Sequence, residues 1–124
     1  MSLLKDFYTI EHFDKQTDNK YVVGIRLNPK HAIFKGHFPD NPVTPGVCMM
    51  QIVKDLTEQI TTHSLFMTRS SNVKFMALIN PEINPVLTLL LELQPGDEQT
   101  IKVKNVTTFG DTVALKLTNV YKIK

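Results

Sequence analysis

The stretch KGHFPDNPVTPGVCMMQIVKD, Lys35–Asp55, joins a stiff turn to the start of an apolar helix. It holds three prolines and two glycines, and its turn carries a histidine, His37. No regular element persists through prolines at that density, whereas the residues after Gly46 contain no helix breaker. The sequence therefore predicts a rigid loop followed by a helix that begins at Gly46–Val47 and ends near Thr62, roughly 25 Å long.

Two residues at the start of this helix suit a helix terminus. Thr44 can supply a capping hydroxyl, and Pro45 suits the first helical position, where its missing N–H is not needed. On a helical wheel, an apolar arc is formed by Met49, Ile52, Val53, Leu56 and Ile60. The opposite side carries Val47, Gln51, Asp55 and Glu58.

Gln51 interrupts an otherwise apolar surface over the first two helical turns. A helix that is apolar on all sides is buried on all sides, so we expect Gln51 to need a hydrogen-bond partner. In the simplest interpretation it bonds a nearby backbone group, and Asp55 and Glu58 are solvated. The alternative is that Gln51, Asp55 and Glu58 have a functional role.

Six segments carry the β-branched, aromatic or alternating residues of strands: Phe7–Gln16, Lys20–Asn28, Asn72–Ile79, Pro85–Gln94, Gln99–Phe109 and Thr112–Lys124. Turn residues such as PGDE and GD separate the last three, which indicates hairpins. Residues 1–124 therefore form one α+β domain, with a mostly antiparallel sheet packed on a single helix. Because one helix leaves much of the sheet uncovered, we expect a homodimer.

The composition is that of a folded soluble domain, with 124 residues, 42% hydrophobic and 21% charged. A net charge of +2, without basic runs interleaved with aromatics, argues against nucleic acid. The single cysteine, Cys48, excludes an internal disulfide and suits a reducing compartment. No apolar run approaches the ~18 residues that span a bilayer, and the N-terminus lacks a signal-peptide core. We expect a cytoplasmic protein without a membrane partner.

The segment GHFPDNPVTPGV, Gly36–Val47, resembles the active-site segment of the beta-hydroxyacyl-acyl-carrier-protein dehydratases, which have the hotdog fold. The family pattern is Gly-His-Phe-Pro, a polar pair, Pro, two mostly apolar residues and Pro-Gly, followed by the buried central helix. Downstream, VKFMALINP is similar to the strand after that helix. The resemblance covers most of the chain and implies a curved, mostly antiparallel sheet wrapped around one long central helix.

The resemblance also implies a reaction: dehydration, or reverse hydration, of beta-hydroxyacyl thioesters carried on acyl carrier protein or coenzyme A. The setting would be fatty-acid-type or related lipid or polyene biosynthesis, with no cofactor and no metal. Such a reaction needs a base, a polarised thioester carbonyl and an acid for the departing hydroxyl. His37 is the expected base. The N–H groups of Gly46 and Val47 would bind the thioester oxygen.

The same resemblance places further substrate contacts on Phe38, Pro39 and Pro45. Because related hotdog sites lie at a dimer interface, His37 and the helix that completes its site are expected to come from different subunits. The assembly would be a homodimer or a dimer-based higher oligomer. An acidic acyl carrier protein would be attracted by basic residues near the tunnel mouth, for which the candidates are Lys35, Lys54, Arg69 and Lys74.

The sequence departs from the family at the residue fourteen after His37. That position is a carboxylate in the family, typically Glu, but here it is Gln51, and the Gln common one turn later is replaced by Asp55. In one interpretation Asp55 supplies the acid, although one turn displaces its attachment point by ~5.4 Å. In the other, Gln51 only hydrogen-bonds the substrate. The protein is then a weakened dehydratase, a hotdog acyl thioesterase, or a non-catalytic acyl-thioester binder or partner subunit.

The remaining candidates favour structural roles. His12, His31 and His63 are scattered, with no carboxylate or cysteine at ligand spacing, so no metal site is predicted. His31 is expected at the surface near the turn. Cys48 points into the apolar arc, where a thiol is expected to be inert.

Overall fold

A computed structural model describes residues 6–36, 43–97 and 99–124, with backbone only for 35 and 36. Within those ranges the chain forms six strands and one long helix. In order these are β1 (Tyr8–Lys15), β2 (Lys20–Leu27), α1 (Gly46–Thr61), β3 (Leu65–Phe75), β4 (Val86–Pro95), β5 (Thr100–Phe109) and β6 (Thr112–Ile123). A short 3-10 helix, Ala32–Gly36, precedes the proline-rich turn.

The six strands form one sheet in the order β1-β2-β4-β5-β6-β3, and every neighbouring pair is antiparallel. Helix α1 covers one face of this sheet, and its inner side is fully buried at Ile52, Val53 and Leu56. The alternate leucines of β4 supply the opposing core surface at Leu87, Leu89 and Leu91. The α+β hotdog architecture predicted from the sequence is confirmed.

Strand β3 differs most from its prediction. It begins at Leu65 rather than Asn72 and ends at Phe75 rather than Ile79. Its first half was not recognised because the sequence LFMTRSS does not alternate polar and apolar residues, which an edge strand does not require. After Phe75 the amides of Met76 and Ala77 both donate to the Ala114 carbonyl, at 2.8 and 3.3 Å, and the regular pairing ends.

Two bulges interrupt the pairing of β3 with β6. In the second, Ser71 pairs with Thr118 and Lys74 with Lys116, so three steps along β3 match two along β6. The one extra residue reverses which face the following side chains point to. Phe75 therefore joins the helix side of the sheet, and Lys74 lies on the outer side.

The helix start corrects two expectations. Pro45 is the N-cap residue, with an extended ψ of 142°, and not the first helical residue. Among the residues that the structure describes, no side chain caps this end, and the buried Thr44 hydroxyl has no hydrogen-bond partner. The Thr44 amide instead donates to the Ile79 carbonyl at 2.8 Å, which ties this segment to the strand side of the fold.

The expectation of a helix start buried on all sides is also wrong for the described chain. Val47 is 74% exposed, Met50 and Gln51 are half-buried, and only Cys48 and Met49 are buried in this turn. The helix ends as predicted, with Thr62 in the left-handed conformation and its amide donating to the Glu58 carbonyl at 2.8 Å.

Candidate functional site

The structure describes the residues on both sides of the proline-rich turn. His37, Phe38 and Pro39, predicted as base and substrate contacts, lie outside the described residues. On the near side, the buried Phe34 ring stacks on Phe7 with centroids 5.2 Å apart. On the far side the chain is held by the Thr44–Ile79 hydrogen bond. The two ends of the turn are thus anchored to different parts of the core.

His31 is half-buried rather than at the surface. Its ring meets the Phe7 ring edge-on at 5.1 Å, and its Nδ1 accepts the Ile33 amide at 3.1 Å. These contacts hold the 3-10 helix that leads into the turn, so the packing of His31 accounts for its place in the sequence.

At the helix start, Gly46 lies directly under an aromatic ring. A Cβ added at Gly46 would come within 2.5 Å of the Phe75 ring, so any larger residue forces that ring to move. Within the described chain the Gly46 and Val47 amides have no acceptor, as expected for the first turn of a helix. A cavity of about 240 Å³ opens beside Gly46, between α1 and the segment Ala77–Ile79.

A larger groove runs along the exposed side of α1, with a volume of about 450 Å³. Helix α1 forms one wall, and the start of edge strand β3 forms the other. We call this the central groove, and its lining residues are Val47, Met50, Gln51, Lys54, Phe66, Met67 and Tyr121. Val47 and Gln51 are one turn apart on the helix, and both border this groove.

Gln51 is tied to Asp55. The Gln51 Nε2 donates to Asp55 Oδ1 at 2.8 Å, a short bond for an amide donor. The other carboxylate oxygen, Oδ2, receives a longer bond of 3.4 Å from the Tyr8 hydroxyl. Because the amide nitrogen of Gln51 is directed at Asp55, its carbonyl oxygen is the end left to face elsewhere. Sequence reasoning brought Gln51 and Asp55 to one stripe but did not identify Tyr8.

Tyr8 and Tyr121 are the two tyrosines whose pKa is shifted near this stripe. Burial, followed by the charge of Asp55 and its hydrogen bond, raises the pKa of Tyr8. Burial is also the largest cause at Tyr121, where the pKa is raised to about 12 although the hydrogen bond from Asn119 lowers it. Both hydroxyls therefore stay protonated near neutral pH. Neither residue carries a sequence signal, since each lies at an ordinary strand position.

Glu58 has a structural role that the sequence did not predict. Its Oε2 accepts the Leu65 amide at 2.7 Å and lies 4.0 Å from Lys54 Nζ. The first bond holds the start of β3 against the end of the helix. Glu58 is therefore no spare carboxylate for the central groove.

Cys48 is buried, and burial raises the pKa of its thiol, as the sequence indicated for an inert cysteine. Among the residues placed by the structure, no three His, Cys, Asp or Glu side chains are grouped to hold a metal ion. In the same ranges no helix is long and apolar enough to cross a bilayer.

A family model described as ApeI dehydratase matches residues 12–118. The chain belongs to the ApeI-like dehydratase family. Among curated relatives, a 3-hydroxyacyl-[acyl-carrier-protein] dehydratase FabZ from Rickettsia bellii is 32% identical over 123 residues, covering 91% of this chain and 81% of the relative. The FabZ of Rickettsia massiliae is 31% identical over 117 residues, covering 89% of this chain and 77% of the relative.

Solved structures share the fold at lower identity. The dehydratase heterocomplex ApeI:P from Xenorhabdus doucetiae aligns with a TM-score of 0.69 and 20% identity over 92% of this chain and 96% of that one. A hypothetical thioesterase with coenzyme A from Streptococcus pneumoniae aligns with a TM-score of 0.69 and 16% identity over 98% and 90%. The likeness at this identity concerns the fold, and the family membership rests on the sequence matches.

Proposed function

We propose that this ApeI-like dehydratase dehydrates beta-hydroxyacyl thioesters carried on acyl carrier protein, in fatty-acid-type or related lipid or polyene biosynthesis. The observation that carries the proposal is the shared wall of the central groove. There Val47 of the first helical turn and Gln51 line one groove, and Gly46 next to Val47 lines the smaller cavity, in a chain of this family. A thioester oxygen and a beta-hydroxyl are separated by only a few bonds, so one substrate can meet both.

The chemistry is proposed as one proton cycle on His37. Its neutral imidazole takes the alpha proton, and the negative charge that develops on the thioester oxygen is stabilised by the amides of Gly46 and Val47. The carbon–oxygen bond at the beta position then breaks. The imidazolium returns its proton to the departing hydroxide, which leaves as water, and the histidine is neutral again. Phe38, Pro39 and Pro45 line the substrate in this proposal.

Gln51 is proposed to position the beta-hydroxyl rather than to protonate it. Its carbonyl oxygen accepts a hydrogen bond from that hydroxyl, because its NH2 group is directed at Asp55. Asp55 thus acts as a positioning residue, supported by Tyr8. The alternative in which Asp55 is the acid requires Asp55 to leave these two partners and extend past Gln51.

The proposed assembly is a homodimer, or an oligomer built from such dimers, in which His37 of one protomer serves helix α1 of the other. Edge strand β3 supports it, since the strand has one unpaired side and its exposed Phe66 borders the central groove. The heterocomplex of the Xenorhabdus dehydratases is the competing arrangement, with an unlike partner. Light scattering of the purified chain distinguishes a self-dimer from a monomer that awaits another subunit.

The test of activity uses purified protein with a 3-hydroxyacyl and an enoyl thioester on acyl carrier protein. Interconversion is expected, and His37→Ala should lower it on the order of 10²–10⁴-fold. His63→Ala, at an exposed position, is the matched control. Equal turnover by His37→Ala and the wild type, or no interconversion at all, would overturn the proposal. Release of free thiol instead of enoyl product would identify a thioesterase.

Gln51→Glu separates a lost acid from a rearranged site. The new carboxylate would lie beside Asp55. Two carboxylates at so short a distance share one proton, so the pair can serve as an acid. If Gln51 positions the hydroxyl as proposed, dehydration should be unchanged or lower, whereas a gain on the order of 10-fold would show that the site has lost its acid. The double change Gln51→Glu with Asp55→Gln restores the family order of side chains and should gain activity only in that second case. If the wild type shows no dehydration and Gln51→Glu does, the wild type is a non-catalytic binder.

A further inference from the structure

A second polar feature lies on the opposite side of the sheet from the helix. Three exposed lysines, Lys74 of β3, Lys104 of β5 and Lys116 of β6, surround a depression of about 260 Å³. Asn72 and Thr118 complete its rim. We call this the lysine pocket. It is on the outer face because the neighbours of these lysines, such as Asn105 and Leu117, are buried on the helix side.

The register of the strands brings the three cations together. Lys74 is the direct cross-strand partner of Lys116, and Lys104, which pairs with Thr118, is diagonal to Lys116. The second bulge of β3 creates the first of these pairs. If the same residues paired regularly from Ser71 onward, without a bulge, Val73 would be opposite Lys116 and Lys74 would point to the helix side.

Nothing on the described chain neutralises this group. Elsewhere, Lys15, Arg26 and Lys54 each lie within 4.0 Å of a carboxylate, but no described carboxylate is that close to Lys74, Lys104 or Lys116. Like charges directly opposite one another destabilise a sheet. The chain as a whole has a net charge of only +2, so positive charge is concentrated here rather than spread.

We propose that the lysine pocket is the docking site for the acidic surface of the carrier protein that brings the thioester, which rests on the proposed function. Charge complementarity selects the partner: an acidic protein surface relieves the mutual repulsion of the three lysines. Position supports it, since Lys74 is the chain neighbour of Phe75, whose ring covers Gly46 at the helix start. The carrier would thus dock beside the end of β3 that covers the proposed oxyanion-binding residue Gly46.

Of the basic residues predicted from the sequence for this role, Lys74 alone belongs to the pocket. Lys54 faces the central groove and lies near Glu58. Arg69 is exposed on β3 before the second bulge, and the side chain of Lys35 lies outside the described residues. The sequence could not select Lys104 and Lys116, because only the pairing of three strands brings them to Lys74.

The test compares two triple variants with the same charge change. Lys74→Glu, Lys104→Glu and Lys116→Glu together reverse the pocket. Lys15→Glu, Lys20→Glu and Lys30→Glu are the matched control, since these exposed residues lie in or just after β1 and β2, at the opposite edge of the sheet. The pocket variant should raise KM for the carrier-bound substrate on the order of 10-fold or more, with kcat unchanged, and flatten its salt dependence. The control should match the wild type.

Two further substrates separate this proposal from the proposed function. An N-acetylcysteamine thioester, which lacks a carrier and phosphates, should be turned over equally by all three proteins. If no protein turns over any substrate, the proposed function fails; if the pocket variant keeps its carrier KM, only the docking proposal fails. An equal KM increase with a coenzyme A thioester would indicate a phosphate site and overturn protein docking. So would pocket-dependent binding of anionic vesicles or RNA without binding of the carrier.

Discussion

The two edge strands of the sheet, β1 and β3, expose different surfaces. Beyond Tyr8, strand β1 is exposed and mostly polar, and its charges are matched locally. His12 lies 2.8 Å from Asp14, and Glu11 accepts a 2.9 Å bond from Arg26. Strand β3 exposes larger apolar side chains, among them Phe66 at 58% and Phe75 at 56%.

This difference indicates which edge strand is protected from association with another protomer and which one is available for it. Charged side chains and bulges blunt an edge against association, whereas exposed apolar residues beside unpaired backbone groups favour it. Strand β1 carries local ion pairs, Lys15 with Asp18 and Glu11 with Arg26, whereas bulges occur in both edge strands and do not distinguish them. Strand β3 borders the central groove instead, so a protomer that paired there would also close the candidate site.

The largest expected effect comes from placing a charge on each edge. Phe66→Asp should convert the proposed dimer to a monomer and lower the proposed dehydration about 100-fold or more, because a carboxylate would be buried without a partner in that interface. Phe13→Asp, on β1, should leave both mass and rate nearly unchanged, since Phe13 is 37% exposed and contacts only Tyr21 among aromatic rings of the described chain. Light scattering and the enoyl assay measure both. A dimeric Phe66→Asp protein would remove β3 from the interface.

Alkaline unfolding tests Tyr121, which lies on the neighbour of edge strand β3. Tyr121 pairs with Met67 of β3, and its pKa is raised from 10.0 to about 12, chiefly by burial. A raised folded pKa gives stability that is complete below pH ~10 and is lost as the pH rises towards ~12. The loss is roughly 2–3 kcal/mol for Tyr121. Tyr121→Phe should reduce this slope in urea melts between about pH 9 and 12, and an unchanged slope would contradict the assignment.

Asp55 gives an intermediate effect that separates its two possible roles. If it positions Gln51, Asp55→Asn keeps an acceptor for the 2.8 Å bond, whereas Asp55→Ala removes it. We expect Asp55→Asn to retain most activity and Asp55→Ala to lose about 10-fold, chiefly in KM. Equal inactivation of both variants would instead identify Asp55 as the acid.

Tyr8 gives the smallest effect and tests whether β1 contributes to the site. Its 3.4 Å hydrogen bond to Asp55 is long, so Tyr8→Phe should lower kcat/KM only about threefold. Tyr21→Phe is the matched control on β2, where the ring packs against Phe13. If Tyr8→Phe and Tyr21→Phe are indistinguishable, β1 acts only as the closed edge of the sheet.

The sequence predicted the fold well where local signals were strong. Lys20–Asn28 and Thr112–Lys124 were within a residue or two of the observed strands, because alternation and turn residues mark them. The first half of β3 was missed because Arg69 and Ser70 suit an exposed edge as well as a loop. Its pairing with β6 is a long-range property that no local pattern contains.

The sequence predicted which residues form the candidate site but not how their side chains are oriented. The helical spacing brought Gln51 and Asp55 to one stripe, and the structure adds that the amide nitrogen of Gln51 is directed at Asp55. Tyr8 enters from a strand 47 residues away in sequence, which no motif indicates. Thr44 was expected to cap the helix, but its backbone bond to Ile79 fixes it elsewhere.

The second bulge of β3 has a consequence for how the length of this strand can change. Deleting Asn72 or Val73 would remove the bulge, and regular pairing from Ser71 would still bring Lys74 opposite Lys116 and Phe75 opposite Leu115. The strand can therefore lose one residue here while Lys74 and Phe75 keep their own sides of the sheet. A substitution of Lys74 or of Phe75 alters one of these two surfaces alone.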